Sequence, residues 1–434
     1  MLCLLLVMSG SYAWATNYYV DSTLPGSDSN NGLSEATPFL TLNQCVTTLN
    51  ATAGTHTCFF KNGSYGHTTN VILTRPGATL KNFPGHSPVF DFNMTGFGLP
   101  NFRRLMVCST SACNNSDPTI TGFTLEGIEI RESHDGLKLT NVANAVVRFN
   151  YIHDNYNNGI LAACFNCLFE RNHILRNGPV VLNPSTTSSQ EHGFYINGKN
   201  NKYFNNLIVK STAYGIQLNG SASPNGDDNM AGFSGTIIAN NTFAYNATRG
   251  GVAVWSNGAT LAERQNLRIE NNLFFENSQN VGGASNGIDF TSTNATATVI
   301  RNNVAYATAP GATNFLGLQS GSTGAEYVLT ANCPTTTTGS CATPPNLVNA
   351  PSTIPASPDF HLTVNSTILL NAGRNLTACG ITTDYDGVAR PTGGGTCPSP
   401  TGSVWEIGAY EFGSTPDTTP PAPPSGVQIA NMEI

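Results

Sequence analysis

The chain reads as an all-β protein, a single-stranded parallel β-helix with local disulfides. Three observations carry that expectation. A glycine-led strand recurs: "GLKL" at 136, "GILA" at 159, "GFYI" at 193, "GIQL" at 215, "GVAV" at 251 and "GIDF" at 287. An asparagine ahead of an apolar pair follows each of them, at Asn150, Asn172, Asn206, Asn241, Asn272 and Asn303. Charged residues make up 10% of the 434, against about 25% in an ordinary soluble domain. Asn, Thr, Ser and Gly fill the gap, which suits turn-rich β structure.

The period justifies the coil. The shortest glycine-to-glycine steps are 22 residues (193 to 215) and 23 residues (136 to 159). Self-similarity at that length marks a solenoid, in which each turn buries its apolar face only against its neighbours. Leucine-rich repeats share the period, but their leucine density and helical half are missing. Stacked at one inward corner, each asparagine can bond the next coil and satisfy backbone groups at the turn.

Alternation then assigns the strand faces. Leu137/Leu139, Ile160/Ala162, Phe194/Ile196, Ile216/Leu218, Val252/Val254 and Ile288/Phe290 point inward. Lys138, Leu161, Tyr195, Gln217, Ala253 and Asp289 point outward, followed by Thr140, Ala163, Asn197, Asn219, Trp255 and Thr291. Coils are expected from about residue 60 to beyond 305.

The ends are of different character. "MLCLLLVMSGSYAWA" reads as a secretory signal over residues 1–15, with an apolar run too short to span a bilayer. Residues 16–412 are expected to form one β-helix domain with its capping segments, and 413–434 a Pro/Thr-rich tail with nothing to pack. Past the signal, ten cysteines fall as near neighbours: 45 and 58, 108 and 113, 164 and 167, 333 and 341, 379 and 397. Local disulfides in an oxidising compartment explain this better than metal sites. "CFNC" at 164–167 has no second half-site to complete a zinc or redox centre. A net charge of −7 with no basic block argues against nucleic-acid binding, and no other segment qualifies as a membrane span.

"YYVDSTLPGSDSNNGLSEATPFLTL" (18–42) resembles the N-terminal stretch of secreted β-helix polysaccharide lyases. "PDFHLTVNSTILLNAG", "DYDGVARP" and "EIGAYEF" resemble the closing segment of many secreted β-helix proteins. The chain is thus similar to the pectate-lyase-like, right-handed parallel β-helix superfamily. That resemblance implies the architecture nearly to Phe412. It leaves the reaction open, because the superfamily hosts lyases, hydrolases, epimerases and non-enzymatic adhesins.

Insertions indicate the face that matters. The glycine-to-asparagine step is 13 or 14 residues in the basal coils, but 26 after Gly215 and 21 after Gly251. The asparagine-to-glycine step, 9 in the basal coils, becomes 21 before Gly193 and 15 before Gly287. Extra residues at both ends of one strand are expected to wall a groove over it.

An extended groove on a secreted scaffold suits a polysaccharide. Lys138 is the sole basic residue among the six mid-strand outward positions. A lone lysine on such a face is ordinarily just solvated. As a catalyst it would be the base of a β-elimination, with Tyr195 or His192 as acid and Arg104 holding the uronate. β-Helix lyases often use such basic residues, which the resemblance implies. Asn197, Gln217, Asn219, Trp255 and Asp289 would contact the ligand. Two other readings stand beside this one. Hydrolysis needs two carboxyl groups about 5–9.5 Å apart over the retaining and inverting classes together, and Asp135 and Glu191, two coils apart, could serve an inverting glycosidase. A non-catalytic glycan-binding solenoid would use the same face without chemistry. No cofactor is assigned by the sequence, and calcium through Asp135 or Asp227/Asp228 stays open. The chain is expected to be a secreted or periplasmic monomer.

Overall fold

The computed structural model describes residues 15–413 except 24, 95–101, 180–189, 224, 256–259, 279–285, 291–296, 309–313, 319–326, 337–338, 398 and 403–404. The signal segment (but for Ala15) and the tail (but for Gly413) therefore lie outside the described residues, as does Thr291.

Each coil gives one short strand to each of three sheets, and every strand pair in these sheets is parallel. One coil runs Leu137–Ala143, Val146–Arg148, Tyr151–His153; the next runs Ile160–Phe165, Leu168–Glu170, His173–Leu175. We name the sheets the glycine face, the middle face and the asparagine face, in that order along a coil. Coiling starts earlier than the repeat indicated, at Thr16–Val20, which pairs with His56–Phe60. It ends at Tyr327–Thr330. The early coils lack the asparagine signature, so the motif alone missed them.

The interior is the expected one. All twelve residues assigned inward are buried, none more than 4% exposed. Helix Leu42–Ala51 plugs the N-terminal end, burying Leu42, Cys45, Val46 and Leu49. Its N-cap Thr41 accepts a hydrogen bond from the Gln44 amide, which satisfies one of the open N–H groups there. All five expected disulfides are present.

Sequence dictates the corner between middle and asparagine faces through backbone sterics. Phe149, Arg171, Asn205, Asn240, Asn271 and Asn302 adopt φ of 52–58°. Asparagine tolerates this left-handed region better than most residues. The next residue is the ladder asparagine. Asn172 donates through Nδ2 to the Val147 carbonyl at 2.8 Å and to Asn206 Oδ1 at 3.0 Å, and Asn206 Oδ1 also accepts from the Asn172 amide. The file runs unbroken from Asn150 through Asn303 to Asn332.

A second file lies five residues on, at Asn155 and Asn177, then at Asn246 and Asn277, and Asn286, just before Gly287, accepts the Asn277 amide. Ser211 takes the intervening place, donating its amide to Asn246. The N-x-x-x-x-N spacing was visible in "NYIHDN" and "NHILRN".

The glycine column has a different cause. A Cβ on Gly159 would lie 2.6 Å from the Gly193 carbonyl oxygen, and one on Gly193 2.5 Å from that of Gly215. Coils approach too closely there for any side chain.

The C-terminal segment lies along the outside of the helix. Leu207, Val209, Tyr245 and Phe275 of the asparagine face and its corner pack against Phe360, Leu369 and Tyr410. Phe204 and Ala239 of the middle face pack against Leu376 and Trp405. The outward amides of the corner asparagines fasten it: Asn205 to the Thr383 carbonyl, Asn240 to Glu406, Asn271 to Arg374 and Asn302 to Ala372. This explains the doubled asparagines. The first of each pair binds the covering segment; the second holds the coil beneath.

Candidate functional site

The glycine face carries the expected register. Lys138 pairs with Leu161, Leu161 with Tyr195, Tyr195 with Gln217, Gln217 with Ala253 and Ala253 with Asp289. Asn197 lies beside Ala163, and Trp255 beside Asn219. From Lys138 to Asp289 this column spans five coil steps, about 24 Å at 4.8 Å per strand.

Arg104 lies on the coil below Lys138, two residues before Met106, the residue that pairs with Lys138. Its guanidinium bonds the Asp135 carboxylate and approaches His134 Nδ1 at 3.3 Å. Asp135 is fully buried. Its other oxygen accepts from Asn157 Nδ2 at 2.9 Å and from the Asn158 amide and Nδ2 at 3.3 and 3.1 Å. Burial opposes its ionisation, but the His134 hydrogen bond and the Arg104 charge prevail and hold the carboxyl below its ordinary range. Thus Asp135 is an anchor for Arg104. Its oxygens are taken up by Arg104, His134, Asn157 and Asn158, so its surroundings lend no support to the alternative glycosidase and calcium readings. Asp227 is likewise engaged, accepting from Thr119 Oγ1 at 2.8 Å and from the Asn229 amide at 3.0 Å. Among the described residues, no group of three or more His, Cys, Asp or Glu is placed to hold a metal.

Lys138 is partly buried beside this pair. Burial first, then the Arg104 charge, lowers its pKa, with Asp135 partly opposing. Two coils above, Tyr195 is partly buried, and burial raises its pKa so that the phenol stays protonated.

His192 departs from expectation. It is 1% exposed and does not face the groove. The alternation rule applies within a strand, and His192 precedes one, at a corner where side chains turn into a polar file. Asp135 accepts the Asn158 amide, Asn158 Oδ1 accepts the His192 amide, and His192 Nδ1 accepts the Tyr214 amide at 3.1 Å. Burial and the Arg249 charge push its pKa down to about 3, so the ring is neutral. It stacks on Tyr195 with centroids 5.6 Å apart, which makes it a positioning residue for that phenol.

Higher on the face the outward residues are enclosed. Gln217 is 2% exposed and Asn219 9%. Tyr214 reaches two coils up, donating from its hydroxyl to Asp289 at 2.7 Å, with Arg249 against its ring. Asn197 Oδ1, Gln217 Oε1, Asn219 Oδ1, Trp255 Nε1 and His192 Nε2 are buried without a protein hydrogen-bond partner. Sequence reasoning missed Tyr214, Arg249, Asn157 and Asn158. The column just before each repeat glycine would have found Tyr214 and Asn158.

One expected wall is present. Residues 225–235, part of the insertion after Gly215, run back over three intervening coils, and Asn225 bonds the Asp117 carbonyl at 3.2 Å. Of these residues, Met230 and Phe233 are themselves buried. The turn Leu261–Arg264 from the next insertion bonds this strap, Phe233 amide to Glu263 carbonyl, at 2.8 Å. Most of the expected wall at 178–190 lies outside the described residues.

A family profile described as "Right handed beta helix region" matches residues 108–231. The chain is a right-handed parallel β-helix protein. Among solved structures, this β-helix is similar to the pectate lyase Pel9A, with 17% identity and a TM-score of 0.51, over 93% of this chain and 98% of that one. It is also similar to a rhamnogalacturonan lyase (12%, TM-score 0.44, 81% and 98% covered). PfbA, a surface adhesin of Streptococcus pneumoniae, is a further likeness (11%, 0.42, 67% and 80%). No curated protein sequence matches the chain. At such identities the likeness is one of fold.

Proposed function

We propose that this β-helix is a secreted polysaccharide lyase that cleaves a uronate-containing glycan by β-elimination on its glycine face. One observation carries the reading: Lys138, the amine of an otherwise uncharged stretch of that face, has Arg104 on the coil below, two residues before its partner Met106, and Tyr195 two coils above. In the elimination, neutral Lys138 takes the proton α to the uronate carboxylate. The freed electron pair becomes an enolate, which Arg104 stabilises. It then closes the new C=C bond as the C–O bond breaks, and the leaving oxygen takes a proton from Tyr195. The lowered lysine and raised tyrosine suit these roles. The five disulfides and the expected signal support secretion.

A second reading, glycan binding without chemistry, is favoured by the amide and indole groups around Gln217, which carry no acid or base. One experiment separates the two. Wild-type protein and Lys138→Ala are incubated with pectate, alginate and glycosaminoglycans. Ultraviolet absorbance of an unsaturated uronide, formed by wild type and absent from the variant, is the expected result. New reducing ends without that absorbance, or neither signal, would overturn the lyase reading.

A further inference from the structure

The corner that leads into the glycine face carries a column of its own. Leu105 pairs with Leu137 and Leu137 with Ile160, so Phe102, His134 and Asn157, each three residues earlier, hold one place on successive coils. The backbone agrees: His134 donates its amide to the Arg103 carbonyl at 2.8 Å, and Asn157 to that of His134 at 2.7 Å. Phe102 is 50% exposed, an apolar ring left in water beside the proposed site. Covering its open surface with a ligand is favourable.

A single exposed phenylalanine is ordinary on a protein surface. This one is held in place. The Arg104 guanidinium lies over the ring, 5.4 Å from its centroid, and the His134 ring meets it at 73° with centroids 4.3 Å apart. Arg104 is itself fixed by the enclosed Asp135. His134 is oriented by the same carboxylate. Its Nδ1 lies 3.0 Å from Asp135 Oδ2, and because an ionised carboxylate only accepts, Nδ1 bears the proton. Nε2 of the neutral ring is then an acceptor. It makes no hydrogen bond to the described residues and is not enclosed, the side chain being 23% exposed. An oriented apolar ring beside an open acceptor matches the C–H face and hydroxyl group of a sugar.

We infer that Phe102 and His134 form a sugar subsite at the lower edge of the glycine face. With the uronate carboxylate at Arg104, the next sugar on the side away from Tyr195 lies with its C–H face on the open surface of Phe102 and donates a hydroxyl to His134 Nε2. The inference rests on the proposed glycine-face site and extends it by one ring. It follows that a uronate inside a chain is preferred to one at that terminus, which has no ring to place on Phe102.

The test starts from calorimetric binding of three hexasaccharides, of galacturonate, of mannuronate and of hyaluronan; the one bound most tightly is the probe. Phe102→Ala and Phe102→Leu are expected to weaken it about three- to tenfold, the scale of one aromatic contact. Phe102→Trp restores a ring and should keep the affinity of wild type. His134→Asn keeps a donor for Asp135 but removes Nε2, and should weaken binding severalfold. Phe412→Ala, at the exposed phenylalanine of the C-terminal segment, should change nothing. Thermal melting shows which variants fold, and the Leu and Trp variants decide if Phe102→Ala does not. Full affinity in Phe102→Leu overturns the inference, as does an equal loss in Phe102→Trp, or no binding of any hexasaccharide by wild type. Turnover separates this from the lyase reading. Unsaturated product formed with an unchanged KM by Phe102→Ala removes the subsite and keeps the chemistry. Weakened binding in that variant, with no product from wild type, does the reverse.

Discussion

At the scale of the residue, the chemistry rests on charges held by buried partners. Asp135, wholly enclosed, fixes Arg104, and Arg104 helps lower Lys138. Lys138→Ala should reduce turnover by about 10²–10⁴-fold, the usual range for a general base, with little change in melting temperature because the side chain is partly exposed and leaves no cavity. A base must be deprotonated, so wild-type activity should rise with pH through a lysine pKa below the ordinary 10.5. Removing the guanidinium in Arg104→Gln should move that rise to higher pH; a profile unmoved in the folded variant would mean that Lys138 is not the titrating base. Burial has a second consequence. His192 and His173 are neutral in the fold, each with a pKa of about 3 against 6.5 for a free histidine. The unfolded chain gains protons below 6.5 that the folded chain refuses. Their contribution is therefore present above pH 6.5 and lost progressively as the pH falls towards about 3. A melting temperature that holds steady across this range would contradict the lowered pKa of the two rings.

Elements of this fold are held at their corners. Asn206 satisfies the Asn172 amide and the Phe169 carbonyl while donating to Asn241. Asn206→Ala leaves buried groups unpaired at about 1–3 kcal/mol each and should lower stability in urea by at least that amount. Asn144→Ala, at an exposed corner, should cost far less; equal losses would argue against the ladder's importance. The C-terminal segment has its own latch. His361 lies between Asp359 at 2.5 Å and Asp386 at 2.7 Å. Although burial opposes protonation, these bonds raise its pKa to about 9. The latch is thus fully present below pH 6.5, where the unfolded histidine is also charged, and lost as the pH rises through about 9. Limited proteolysis should show residues 359–411 becoming susceptible over that rise, and Asp386→Asn should show it at lower pH.

Over the whole molecule, what repeats was legible and what depends on distant partners was not. The glycine and inward-asparagine columns recur with the coil, so their period betrayed them, and the inward residues of each glycine strand followed by alternation. Near-neighbour cysteines left little choice of pairing. The outward corner asparagines, by contrast, take their purpose from a segment 70 to 178 residues away, as in Asn302 with Ala372 and Asn205 with Thr383. His192 was misplaced because it precedes its strand, and its partners there, Asn158 and Tyr214, come from neighbouring coils. Asp135 looked like a catalyst because no pattern in "SHDG" reveals that Arg104 lies across from it.

The central claim is that ligand lies along the glycine face with its uronate at Lys138. A crystal structure of Lys138→Ala soaked with an acidic hexasaccharide tests this most directly. The account predicts sugar density along the column from Arg104 past Tyr195 towards Trp255, with a carboxylate at the Arg104 guanidinium. Density on the middle or asparagine face, or a carboxylate seated at Asp289 with Arg104 untouched, would contradict it.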